Sequence, residues 1–193
     1  MVAMTVRGSV VKVVGVVAVG LAAVGCADSE PDSGATSTSG VSVAASPSSV
    51  DAEAKVWDPC SLPDSAVSGV GLNAGSKESG VAGVDFSGWK VCNWTDQGRK
   101  YGLAILSSEH TLAEVRQRPD YSEWNPLMIA GHAALEFRPT GAIHDQTCFV
   151  AVEVPAGTVA IKVQNRYSAV GAQPPCSEAE RLTEAFVQHF PTA

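Results

Sequence analysis

Apolar and polar residues alternate with a period of two in the middle and later parts of this chain, the spacing of a sheet with one buried face. Lys90 to Thr95 sets Val91, Asn93 and Thr95 against Cys92 and Trp94, and Tyr101 to Leu106 is a second such run. Gln97-Gly98 between them is a turn signal, so the pair reads as a hairpin. Cys148 to Val154 and Thr158 to Asn165 form another hairpin across Pro155-Ala156-Gly157, and Ile129 to Phe137 holds a strand after Gly131. Helical spacing appears in three places. Ser61 to Gly69 is a short helix with Pro63 suited to its first turn. Thr111-x-x-Glu114 has capping-box spacing and opens a helix that Pro119 stops; Ser177-x-x-Glu180 has it again. The second box heads a stripe of Ala179, Leu182, Ala185, Phe186 and Phe190, closed by Pro191. Gly71 to Gly88 and Asp120 to Leu127 lack either period and read as loops, the second rich in aromatics. The expectation is an α+β fold: an antiparallel sheet of about five strands packed against two or three helices. Trp94, Leu103, Ile105, Phe149, Val152, Ile161 and Val163 are the core candidates.

The first quarter of the chain has neither pattern. Arg7 and Lys12 precede an uncharged run from Val13 to Ala27, and Ala23-Val24-Gly25 leads into Cys26. A basic start, a short apolar middle and small residues before a cysteine are the parts of a bacterial lipoprotein export signal. Fifteen uncharged residues fall short of the roughly twenty that span a bilayer. Residues 1–25 are therefore expected to be removed, leaving Cys26 as a lipidated N-terminus on the extracytoplasmic face of the cell membrane. A diacylglyceryl group gives the two chains that stable attachment requires. Residues 27–55 are Ser-, Thr-, Ala- and acid-rich without an aromatic residue, so with Cys26 they read as a disordered tether with a reach of roughly 30 Å. One folded domain, residues 56–193, follows.

Charge narrows the partners. The 193-residue chain carries −7, and losing residues 1–25 removes Arg7 and Lys12 but no acid, which brings it to −9. Such a chain repels phosphate backbones, which argues against nucleic acid. It also places the hold on the membrane in the acyl chains rather than in a polybasic grip.

Cys60, Cys92, Cys148 and Cys176 remain after Cys26. An even count in an oxidising compartment points to two disulfides, and with no C-x-x-C pair and no close histidine the spacing fits no metal site. Of the three connectivities, Cys60–Cys92 with Cys148–Cys176 is favoured. Each bridge then closes a loop of about thirty residues and ties a helix to a strand.

Several of these residues belong to one pattern: Trp57-Asp58-Pro59-Cys60, Trp89-Lys90-Val91-Cys92-Asn93-Trp94, the Thr111 to Pro119 helix, Gly131-His132-Ala133-Ala134, Cys148-Phe149-Val150 and a final helix opened by Cys176. Together they resemble the actinobacterial lipoproteins of the domain of unknown function 3558 family, along nearly the whole chain. The resemblance implies an envelope lipoprotein and implies no reaction.

Motifs with chemistry are few. Ser87-Gly88-Trp89-Lys90 matches S-x-x-K by letter but has no S-D-N or K-T-G companion and enters a strand rather than a helix. Asn93-Trp94-Thr95 is a glycosylation sequon by letter, inside a strand. The histidines His110, His132, His144 and His189 are read as structural, with no second ligand assigned four residues away. No catalytic, metal or cofactor residues are assigned. Tyr121, Trp124 and Asn125, with Arg99 and Lys100, are the candidate recognition surface, since aromatic residues and arginine favour contacts; Arg116 and Arg118 add to the local positive charge. The functional expectation is a non-enzymatic binding or accessory module for an envelope ligand or exported protein. A small envelope hydrolase and a structural partner in an envelope assembly are the alternatives.

Overall fold

The computed structural model describes residues 56–84 and 87–192. The expected export signal, Cys26 and the expected tether all fall outside the described residues. Seven strands form one sheet: β1 Leu72–Ser79, β2 Trp89–Asp96, β3 Tyr101–Ser108, β4 Tyr121–Ile129, β5 His132–Pro139, β6 Thr147–Val154 and β7 Gly157–Asn165. Three helices accompany them: α1 Asp64–Gly69, α2 Leu112–Arg116 and α3 Pro175–Phe186. The spatial order is β1-β2-β3-β7-β6-β5-β4, antiparallel throughout. Two meanders, β1 to β3 and β4 to β7, thus join where β3 pairs with β7.

The sheet is larger than the expected five strands because both edge strands lack the alternation that marks a strand in sequence. β1 buries only Leu72 fully and has a register shift between Asn73 and Glu78. Polar edge strands of this kind resist further pairing, and their sequences carry little alternation. β4 contains Pro126, which an edge strand accommodates, and shifts register between Ser122 and Asn125, around Glu123 with φ +57°. β4 and β5 meet at Ala130-Gly131, both with positive φ, the two-residue turn that matches strand twist.

The register puts the core candidates on two faces. Cys92 and Trp94 of β2 stand opposite Ile105 and Leu103, which stand opposite Ile161 and Val163. Val150 and Val152 continue that face into β6, and α3 covers it with Ala179, Leu182 and Phe186. Phe149 points the other way, into a smaller cluster with Val115, Leu135, Phe137, Ala151 and Ala160. The β6–β7 hairpin closes tightly on the end of β3. A Cβ at Gly157 (φ +134°) would overlap Ser108 O and stand 2.6 Å from the Glu109 carbonyl carbon.

The cysteines pair as Cys60–Cys92 and Cys148–Cys176, closing separations of 32 and 28 residues. The first ties the 3-10 turn Pro59–Ser61 to β2, and the second ties β6 to α3. The Thr111 capping box forms in full. The Ser177 box does not: α3 starts two residues earlier, with Pro174 as N-cap and Pro175 in its first turn. Pro63 likewise precedes α1 as its N-cap instead of lying in its first turn.

Candidate functional site

Between β3 and β4 the chain crosses the face opposite α3, and α2 with residues 117–120 forms that crossover. Beneath it the rings of Tyr121, Trp124, Phe137 and Phe149 pack together. Tyr121 lies 4.9 Å from Phe137 and 5.2 Å from Phe149, both edge-on, and Phe137 stacks on Phe149 at 5.1 Å. The β4 bulge is what lets Tyr121 and Trp124, three residues apart, both reach Phe137, with Trp124 at 4.8 Å.

A narrow apolar crevice runs from these rings toward Trp89, Ser108 and Thr158. It opens into a mouth of about 320 Å³ lined by Trp89, His110, Glu114, Val115 and Arg118, within the size range of small-ligand sites. The polar groups of this mouth are already paired. Arg118 grips Asp120 through two bonds of 3.0 and 2.7 Å and lies over the Tyr121 ring at 5.2 Å. The Glu114 carboxylate accepts the Thr111 N–H at 2.7 Å, which holds its pKa below the usual range. His110 does have a carboxylate four residues on: its Nδ1 is 3.9 Å from Glu114. Its ring meets Trp89 at 5.6 Å, and its carbonyl accepts the Thr158 hydroxyl at 2.6 Å. Ser108, His110 and Glu114 have the residue types of a hydrolytic triad. Ser108 Oγ, however, is buried without a hydrogen-bond partner among the described residues, so the three do not form a hydrogen-bonded triad here.

A second concavity of about 560 Å³ lies where the 140–146 loop meets the 166–174 loop, lined among others by Ile143, Asp145, Asn165, Arg166 and Tyr167. Asn165 is the strut between the loops, its Nδ2 donating to Asp145 O at 3.3 Å and to Gln173 O at 2.9 Å. Lys100 Nζ donates to Gly171 O at 3.3 Å, and the Arg166 N–H donates to Lys100 O.

The five candidate recognition residues therefore do not form one surface. Tyr121 and Trp124 are half-buried in the aromatic cluster. Asn125 is exposed on edge strand β4 opposite Glu136. Arg99 and Lys100 turn between β2 and β3, and β4 lies four strand spacings from β3, roughly 19 Å away. Asn93 of the sequon donates to Glu78 O and Gly80 O, which secures β1 against β2. The one compact group of metal-ligating types among the described residues is Glu136, Cys148 and Cys176, and its two sulfurs are spent in the disulfide. Sequence reading missed Trp89, Ser108 and the loop residues Ile143, Tyr167 and Val170. Only the i, i+4 spacing of His110 and Glu114 was there to mark the mouth.

Fold and bridges together define a disulfide-braced antiparallel α+β domain. The pattern of the family described as protein of unknown function (domain of unknown function 3558) matches residues 21–189, and the chain belongs to that family. No curated protein and no solved structure matches it. Among the described residues no helix is long and apolar enough to cross a membrane.

Proposed function

We propose that this chain is a lipid-anchored domain on the extracytoplasmic face of the cell membrane, and that it binds a ligand in the mouth beneath α2 without transforming it. One observation carries the binding reading: Trp89, Val115 and the aromatic floor supply apolar contact, while Arg118 is held by Asp120 and the Glu114 carboxylate by the Thr111 N–H. Such a lining favours a ligand held by shape and apolar area with a few polar contacts at its edge. Three features support the anchor. They are the segment before Cys26, the family match that starts at Leu21 and so takes in Cys26, and four remaining cysteines sealed in pairs as an oxidising compartment favours.

A photo-reactive phenylalanine analogue in place of Trp89, activated in intact cells, tests the site. Gln188, exposed beyond α3, serves as the control position. The reading predicts a discrete adduct from position 89 that position 188 does not give. Identical products from both positions, or none from position 89, would contradict it.

A further inference from the structure

The chain enters the domain at one end and displays a sticky surface at the other. Trp57 packs on Phe190 at 5.5 Å, just beyond the C-terminal end of α3. The 560 Å³ depression includes Pro174, just before the N-terminal end of α3, and a helix of twelve residues separates its ends by roughly 18 Å. At this far end Ile143, Tyr167 and Val170 are 58%, 85% and 93% exposed, three of the six exposed large hydrophobic residues among those described. Singly exposed apolar residues need no explanation, but three on two adjoining loops do. Cations flank them. Arg166 lies in the depression beside Tyr167, Lys100 is tied to Gly171, and Arg99 is exposed next to Lys100. Asp145 is the one carboxylate that lines the depression.

We propose that these loops are a docking face for an anionic bilayer surface, a second membrane contact separate from Cys26. The inference goes beyond the ligand site and rests on the proposed envelope address only for its biological setting. Protruding aliphatic and tyrosine side chains enter the boundary between headgroups and acyl chains, and flanking Arg and Lys are drawn to anionic lipid. The overall negative charge does not oppose this, because surface charges more than about 8–10 Å away are largely screened at physiological salt. Length does not oppose it either. The twenty-nine residues from 27 to 55 extend to roughly 95 Å, enough for the end remote from the tether to turn toward the membrane that holds it. Docked in this way, the domain lies down on the bilayer instead of standing off it.

Hydrogen exchange of the full chain, isolated from its own cells and placed on vesicles, tests the proposal. One set of vesicles is pure phosphatidylcholine, and the other has about a third of it replaced by phosphatidylglycerol. The expected result is slower exchange in peptides covering 140–146 and 166–174 on the anionic vesicles alone, lost at high salt. Arg99→Glu with Arg166→Glu should weaken this protection at least about fivefold, and Val170→Asp should weaken it on its own. Thermal melting of each variant confirms that it folds. Equal exchange on both vesicles, or protection that survives these substitutions, would overturn the docking face. Retention of the chain on the pure phosphatidylcholine vesicles reports acylation at Cys26, so failure of the anchor and failure of the docking face give different readings.

Discussion

Glu178 and Glu180 lie two positions apart on α3 and meet opposite electrostatic surroundings. Glu178 is buried between Arg181, at 2.5 Å, and the Tyr101 hydroxyl, at 2.7 Å. Arg181 first, then the Tyr101 bond, holds its carboxyl below the usual range. Burial and the Glu178 carboxylate push the Tyr101 phenol up in turn. Glu180 instead meets Glu136, and burial followed by that like neighbour raises its carboxyl. The signs for stability are therefore opposite. Glu178 adds stability that is present at neutral pH and lost as pH falls through its folded value. A raised carboxyl such as Glu180 adds stability that is full below its unfolded value, near pH 4.3, and lost as pH rises through its folded value. Glu180→Gln should therefore stabilise the domain at pH 7 by up to about 1 kcal/mol, the scale of exposed charge pairs. The gain should vanish toward pH 4. Thermal melts across that range check it, and a gain independent of pH would show that Glu136 is not the cause. None of this was legible in the sequence, because Glu136 and Glu180 are brought together only when α3 packs on the sheet and is tied to β6 by the Cys148–Cys176 bridge.

Elements were legible in proportion to how much of them is buried. β2, β3, β6 and β7 lie inside the sheet, β6 and β7 buried on both faces, and their alternation or apolar runs announced them. β1 and β4 are edges whose side chains face mostly solvent, and β4 carries both a proline and a bulge, so neither kept a period to read. The Thr111 box was legible because nothing competes with it, whereas Pro174-Pro175 starts α3 ahead of the Ser177 box. The favoured disulfide pairing holds because each bridge joins a local turn or helix to a neighbouring strand. Cys60→Ser opens the 32-residue loop, at a cost of about 3–4 kcal/mol on the chain-entropy account. For a domain of this size the melting midpoint should fall by about 10–15 °C, and one thiol, at Cys92, should become available to alkylation under denaturing conditions. An unchanged midpoint would mean that the bridge does not constrain the unfolded chain, and a thiol at Cys148 or Cys176 would contradict the pairing.

At the scale of the whole molecule, the two meanders leave the sheet with one face covered by α3 and the other, among the described residues, crossed by the short α2 segment. That asymmetry creates the mouth lined by Trp89. The loops at the opposite end of α3 from the point of chain entry create the second surface. Tyr121 borders the crevice behind the first surface, and Lys100 is tied to a loop of the second. What joined each to its neighbours was register, which no local pattern reports. Both surfaces take their meaning from the proposed address: a domain held outside the cytoplasm by lipid on Cys26, its other four cysteines paired in two disulfides. Peptide mass mapping of the protein isolated from its own cells, digested without reductant, tests that claim most directly. The account predicts an N-terminal peptide that starts at Cys26 and carries acyl chains, together with linked peptides joining Cys60 to Cys92 and Cys148 to Cys176. An unmodified peptide running through Gly25-Cys26, with the other four cysteines recovered as free thiols, would contradict it.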